Sequence, residues 1–237
     1  MSQAKKVIVV LPAYNASATL RLTVEDIPEI VDEIILVDDR STDNTLEIAQ
    51  ELGLTVFPRA INEGYGANQK DCYHLALERG AEIVIMIHPD YQYDPKLIPF
   101  FVEFITKDYY DLVLGTRIRS RREALAGGMP RYKYLANRLL TIFENLVTGQ
   151  NLSEWHTGMR AYRREVLETI DWQNNSNDFV FDSEMLFKAV AKKYRLGEIA
   201  VPVKYFPEAS SINFWRSWRY GWQTVGVAIK YLLGRYK

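Results

Sequence analysis

The sequence predicts an α/β fold with a mainly parallel sheet, flanking helices and a C-terminal amphipathic helix or pair of helices. Three observations carry this. Short apolar runs alternate with helix-like amphipathic stretches through the first half, as in strands joined by crossover helices. Polar clusters follow four of those runs, where the carboxyl edge of a parallel sheet would lie. Near the C-terminus the apolar residues recur at helical spacing.

Taken in order, the candidate strands are 7–11, 33–37, 55–57, 83–87 and 112–114, and helices begin near Thr19, Thr42, Gly66 and Asp94. Thr42 and Asp94 offer side-chain acceptors to a helix start, and Pro95 suits a first helical position. Beyond Gly115, the cations Arg117, Arg119, Arg121, Arg122, Arg131, Lys133 and Arg138 occur with Glu123 as the only acid, and Gly127, Gly128 and Pro130 interrupt them. This stretch reads as a mobile basic loop leading into a helix over 132–147. A helix over 182–193 and a strand over 196–203 complete the body, and a helix over 213–233 follows.

At 237 residues, 48% hydrophobic and 25% charged, the chain has the make-up of an ordinary globular protein without long disorder. It divides into one large domain over 1–210 and a tail over 211–237. The formal net charge of −1 hides an asymmetry, because 211–237 holds five cations and no acid, leaving −6 on the body. Cys72 is the only cysteine, which excludes an intramolecular disulfide and a thiolate metal cage. The apolar run after MSQAKK is too short for a signal peptide and is placed like a first strand, so the chain is expected to stay inside the cell. No uncharged apolar run reaches the roughly twenty residues of a bilayer span.

The strand ends read Pro12, Ala13, Tyr14, Asn15; Asp38, Asp39, Arg40, Ser41; His88, Pro89, Asp90, Tyr91, Gln92; and Gly115, Thr116, Arg117. One such cluster could be a turn with solvated charges, but four on one edge point to a ligand site. A dinucleotide site would need G-x-G-x-x-G after the first strand, where the sequence has PAYNAS. The G-x-G at Gly64-Tyr65-Gly66 has Gln69 in place of the third glycine, and no G-x-x-x-x-G-K occurs, so hydride transfer and P-loop chemistry are disfavoured.

In this order, LPAYNASATL, ILVDDRSTDNT, NEGYGANQ, HPDYQYDP, LGTR, EWHTGMRAYRREVL and FDSEM resemble the family-2 glycosyltransferases. The nearest branch is that of dolichyl-phosphate mannose synthases and bacterial polyprenyl-phosphate glycosyltransferases. The resemblance spans roughly residues 5 to 206, and its specificity lies in the ordered succession. It implies a Rossmann-like GT-A fold in the first domain, a nucleoside-diphosphate-sugar donor, a divalent metal and inversion at the anomeric carbon. The resemblance implies GDP-mannose or a UDP-sugar as donor; Ala16 stands where mannose-phosphate synthases usually have Glu.

On this reading Pro12, Ala13 and Tyr14 form a stacking and backbone surface for the base, while Asp38 or Asp39 accepts hydrogen bonds from base or ribose. The family's Asp-x-Asp followed two residues later by Gln holds Mg²⁺ or Mn²⁺. Here His88 replaces the first acid and Asp90 and Gln92 remain. An imidazole moves the preference toward Mn²⁺, unless His88 merely closes the strand. Arg117 and Arg131 resemble arginines that bind phosphates of donor or lipid acceptor. Glu154 occupies the acid position of D-x-[ST]-[ST]-G-[FM]-R, where it would position the acceptor or orient the loop, and Asp182 or Glu184 could serve as a base. Asp90, Glu154 and Asp182 are thus the candidate catalytic acids.

In the tail, Trp215, Trp218, Trp222, Val225, Ile229, Leu232 and Leu233 share one helical arc, and Arg216, Arg219, Gln223, Lys230 and Lys237 line the adjacent one. Gly221 and Gly226 weaken the helix and could divide it in two. This arrangement suits an interfacial helix and predicts a cytoplasmic enzyme peripheral to the inner face of a membrane. Packing on the body, on a membrane-anchoring partner protein or in a homo-oligomer is the alternative. No nucleic-acid partner is expected. The main expectation is transfer of a hexose to a lipid phosphate; the rivals are transfer to a glycan hydroxyl and a catalytically weak nucleotide-sugar-binding protein.

Overall fold

The computed structural model describes residues 5–118, 120–126, 129–202 and 214–236. Among these, strands β1 (Val7–Ala13), β2 (Glu33–Asp38), β3 (Thr55–Pro58), β4 (Ile83–Ile87), β5 (Leu112–Thr116), β6 (Met159–Arg163) and β7 (Leu196–Ala200) form one sheet. Its spatial order is β3-β2-β1-β4-β6-β5-β7. Strands β1 to β4 pair in parallel, as do β5 and β7, while β6 lies antiparallel between β4 and β5. The expected mainly parallel sheet is present, and β6 is the strand missing from the sequence reading. Its sequence, MRAYR, hides the strand because Arg160 sits in its middle, fully buried, with a counter-ion at 2.7 Å on Asp182.

The described helices are α1 (Leu20–Glu25), α2 (Thr45–Glu51), α3 (Tyr65–Glu78), α4 (Ile98–Thr106), α5 (Arg121–Ala126), α6 (Arg131–Thr148), α7 (Arg164–Thr169), α8 (Phe181–Ala191) and α9 (Phe214–Leu232). Both sheet faces are covered. Ile8, Val10, Ile35, Val37, Val84 and Met86 pack in one cluster with residues of α3 and α8. Val7, Val9, Leu36, Ile83, Ile85 and Ile87 pack in the other with residues of α4. Burial on both faces explains why these strands read as unbroken apolar runs, each enclosed Val, Leu or Ile contributing about 1.5–3 kcal/mol.

Asp94 accepts the Lys96 backbone N–H at 3.0 Å and caps a 3-10 turn, Pro95–Leu97, that runs into α4. Thr42 is not a cap: α2 starts later, behind Asn44, and the Thr42 backbone N–H donates instead to Asn15 Oδ1 at 2.8 Å. The stretch expected to be a loop contains α5; residues 119, 127 and 128 lie outside the described residues. α6 ends where Gly149 turns left-handed, at φ 70°.

The tail is one helix, α9, continuing through Gly221 and Gly226. It packs against α8 and α6. Val227 and Ala228 are buried in the same cluster as Phe181, Met185 and Phe187 of α8, so α9 shares the hydrophobic core of the body. The boundary expected at 210/211 falls outside the described residues.

Candidate active site

A cavity of about 450 Å³ opens at the carboxyl ends of β1, β2 and β4, where ligands of open α/β sheets bind. Each of these strands ends near a non-glycine residue in the left-handed region: Asn15 (φ 51°), Arg40 (φ 63°) and Tyr91 (φ 55°). Such conformations cost on the order of 1–3 kcal/mol each and persist only where neighbours hold them. Here Asn15 receives the N–H of Thr42 and donates its own to Ser41 Oγ, while Tyr91 donates its hydroxyl to Asp26 Oδ2 at 2.5 Å.

Pro12, Ala13 and Tyr14 line the cavity, with the Tyr14 ring half exposed on the rim. Asp39 lines it too, its N–H bonded to Ala13 O at 2.8 Å and its carboxylate paired with Arg59 at 2.8 Å. Burial raises the Asp39 carboxyl pKa despite the opposing pull of Arg59. Asp38 is placed otherwise. It is fully buried, accepts the Ser41 N–H through Oδ2 and is not on the cavity wall, so the expected acidic pair splits and Asp39 alone reaches the site.

His88 and Asp90 face the cavity at the end of β4. Burial lowers the His88 pKa, which keeps the imidazole neutral, although Asp90 and Asp182 pull the other way. Burial raises the Asp90 pKa, offset in part by His88, the Gln92 N–H and Arg117. Among the described residues Asp90 forms no ion pair. Gln92 is buried away from the cavity wall, and what it gives Asp90 is its backbone N–H, at 3.1 Å from Oδ1.

The other expected site residues stand back from the wall. Arg117 is held by Glu154, which accepts its backbone N–H at 2.8 Å and its Nε–H at 2.9 Å, and by the His156 carbonyl. Glu154 is fully buried and also accepts from Asn137 Nδ2 at 3.0 Å. Asp182 accepts from Arg160 at 2.7 Å, from Gln69 at 2.9 Å and from the Tyr65 hydroxyl at 2.9 Å. Both candidate catalytic acids have their oxygens committed to holding other residues, Glu154 in the manner of its loop-orienting alternative and Asp182 in place of acting as a base. Glu184, the other acid considered as a base, accepts the Ser176 N–H at 2.7 Å. Arg131 is exposed at the first turn of α6, outside the cavity lining.

Several cavity residues escaped sequence reading. Tyr65 and Asn68 of α3 are among them; Asn68 Nδ2 donates to Ala13 O and Val37 O, tying together the ends of β1 and β2. The G-x-G belongs to this helix start because Gly64 has φ 100° and a Cβ on Gly66 would lie 2.3 Å from Ser176 O. Arg216, Arg219, Tyr220 and Gln223 of α9 also line the cavity, so part of the polar arc assigned to a membrane surface faces the site. The only signal for this was the excess of cations without acids in the tail.

Comparison with known proteins bears on the family and the fold. The profile "Glycosyl transferase family 2" matches residues 8–171. The low-salt glycan biosynthesis hexosyltransferase Agl6 of Haloferax volcanii is 31% identical over 224 residues, covering 92% of this chain and 51% of that protein; the chain spans about half the length of that relative. The dolichyl-phosphate hexose transferase of the same organism is 31% identical over 199 residues, covering 83% of this chain and 82% of that protein. Crystal structures of glucosyl-3-phosphoglycerate synthase from Mycobacterium tuberculosis share the fold. One, in complex with phosphoglyceric acid, has a TM-score of 0.74 at 20% identity over 96% of this chain and 80% of the other. With an α/β sheet of that architecture and the profile covering most of its length, the chain belongs to glycosyl transferase family 2.

Proposed function

We propose that this glycosyltransferase moves a hexose, with inversion, from a nucleoside-diphosphate sugar to a polyprenyl or dolichyl phosphate. The observation that carries the reading is the division of labour among the acids. Glu154 and Asp182 are committed to Arg117 and to Arg160, Tyr65 and Gln69, leaving neither poised to take a proton. A phosphate is already anionic near neutral pH and attacks the anomeric carbon without losing a proton, whereas a glycan hydroxyl needs a base. The dolichyl-phosphate hexose transferase relative supports the same acceptor class.

In this proposal the base lies against Tyr14, and Asp39 accepts from base or ribose; a UDP-sugar and GDP-mannose both fit that description. Arg216 and Arg219 offer guanidinium forks to the diphosphate from α9. Arg117, whose charge is felt at Asp90, and Arg131 would bind phosphate oxygens of the acceptor or donor.

The residues at the end of β4 also fit Mg²⁺ or Mn²⁺, because Asp90 is a partly exposed carboxylate on the cavity wall with no ion pair among the described residues, and burial favours the neutral form of the His88 imidazole. Among the described residues no three His, Cys, Asp or Glu side chains form a metal cage, so the diphosphate would supply further oxygens. A cation held there would neutralise charge on the departing nucleoside diphosphate. Gln92, expected as an oxygen donor, does not line the cavity.

No helix among the described residues is long and apolar enough to cross a membrane. α9 exposes Trp218, Trp222, Ile229 and Leu232, and α6, packed against it, exposes Leu135, Leu139, Ile142 and Leu146. These faces would rest on the inner surface of an anionic membrane, each nearby Lys or Arg contributing about 1 kcal/mol.

Product masses test the proposal. Protein, Mn²⁺ and UDP- or GDP-sugars are incubated with polyprenyl phosphate in detergent or with free oligosaccharides. A hexosyl polyprenyl phosphate is expected; sugar added only to the oligosaccharide would overturn the assignment.

A further inference from the structure

Behind His88 stands a chain of hydrogen bonds that draws together residues from four separate stretches of the sequence. Arg160, buried in the middle of β6, donates to Asp182 at 2.7 Å, and Gln69 donates to the same oxygen at 2.9 Å. The second oxygen of Asp182 receives the Tyr65 hydroxyl at 2.9 Å, and that hydroxyl lies 2.9 Å from His88 Nε2. The Tyr65 ring is stacked on Phe179, with centroids 5.0 Å apart, which keeps the hydroxyl in place.

A tyrosine hydroxyl has one proton and two possible acceptors here. The carboxylate paired with Arg160 only accepts, and a hydrogen bond to a charged group is roughly twice as strong as a neutral one. The proton therefore goes to Asp182. Tyr65 Oη then faces His88 with a lone pair, and the imidazole must carry its own proton on Nε2. Nδ1, which makes no hydrogen bond among the described residues, is left with a free lone pair in a ring that lines the cavity beside Asp90. Gly158 packs against the same ring: a Cβ there would come within 2.9 Å of Nδ1 and 3.0 Å of Cε1, so a larger residue would displace the imidazole.

We propose that Tyr65, oriented by Asp182 and Arg160, is a positioning residue that fixes the tautomer of His88 and so presents Nδ1 to a divalent cation. This compensates for the carboxylate that His88 replaces. The relay is a property of the protein alone, while the identity of what Nδ1 meets rests on the metal reading above.

Long-range ¹H–¹⁵N correlation of the full chain labelled at its three histidines tests the two parts separately. The His88 signals are those lost in His88→Asn. In the wild type, the neutral ring should show the pattern of protonated Nε2 and bare Nδ1. Tyr65→Phe, which keeps the stacking on Phe179, should give an averaged pattern with an unchanged circular dichroism spectrum. A proton on Nδ1 in the wild type, or a pattern unmoved by Tyr65→Phe, would overturn the relay. Titration with Mn²⁺ and UDP or GDP should then broaden the His88 signals, and Tyr65→Phe should weaken Mn²⁺ binding about tenfold, at the lower end of the ~10–100-fold that partners behind a ligand control. If the tautomer is as stated but Mn²⁺ neither broadens His88 nor binds Tyr65→Phe more weakly, the relay stands and the metal assignment falls.

Discussion

Glu154 grips Arg117 by both its main chain and its side chain, Oε2 accepting the backbone N–H at 2.8 Å and Oε1 the Nε–H at 2.9 Å. A fully buried carboxylate thus sets the direction in which the chain leaves β5 and the pose of its guanidinium. Removing one partner of a buried pair leaves the other charge uncompensated, at about 3–5 kcal/mol. Glu154→Ala should lose stability on that scale in urea unfolding. Glu154→Gln, which keeps one acceptor for the arginine, should lose less.

Asp90 illustrates the opposite balance. Burial disfavours its charge, His88, the Gln92 N–H and Arg117 offset this only in part, and no ion pair among the described residues completes the compensation, so the site holds the charge at a cost to the fold. Asp90→Asn should therefore melt no lower than the wild type while sugar transfer falls by about two orders of magnitude, the scale seen when one electrostatic stabiliser is removed. Paired melting curves and transfer assays check both halves.

Gly66 lies against the 176–177 segment, where a Cβ would meet Ser176 O at 2.3 Å and Phe181 Cβ at 2.9 Å. Gly66→Ala should cost about 1–3 kcal/mol, the range for overpacking, because the nearest obstacle is backbone. Gly53→Ala is not a neutral control despite its open surroundings, since φ there is 69°.

Stability in acid should follow the Asp108 and Asp111 carboxyls. Hydrogen bonds from Arg195 and Arg163 hold Asp108 down at about 2, and Arg195 lowers Asp111 as well. Groups with a depressed folded pKa stabilise above their unfolded value and lose that contribution as pH falls through the folded one. The melting temperature should drop as pH falls from 3.8 towards 2, and the gap between wild type and Asp111→Asn should narrow across that window.

Trp218 and Trp222 are 59% and 62% exposed, so replacing both with Ser should change stability by no more than about 0.5 kcal/mol per site. Sedimentation with phosphatidylglycerol vesicles should fall sharply in the same variant. Unchanged sedimentation would remove α9 from the membrane surface.

The parallel strands were legible because burial on both faces makes them continuous apolar runs, and the cavity-lining Tyr14, Asp39 and Asp90 followed from their place just after those runs. What stayed hidden depends on contacts between distant residues. Arg160 disguises β6 until Asp182, distant in sequence, is seen to neutralise it. Asp38 and Asp39 are equivalent as letters, yet the turn after β2 buries one and presents the other. The face of α9 that carries Arg216 and Arg219 could be assigned only once the helix was docked on α8, because its periodicity fits a membrane surface and a cavity wall alike.

The convergence of β1, β2 and β4 on one donor site is tested most directly by a crystal structure of the full chain with Mn²⁺ and UDP or GDP. The base should stack on Tyr14 with its ribose or ring edge at Asp39, and the diphosphate should lie between Asp90 and Arg216. A nucleotide bound elsewhere on the molecule, with that cavity left to solvent, would contradict the account.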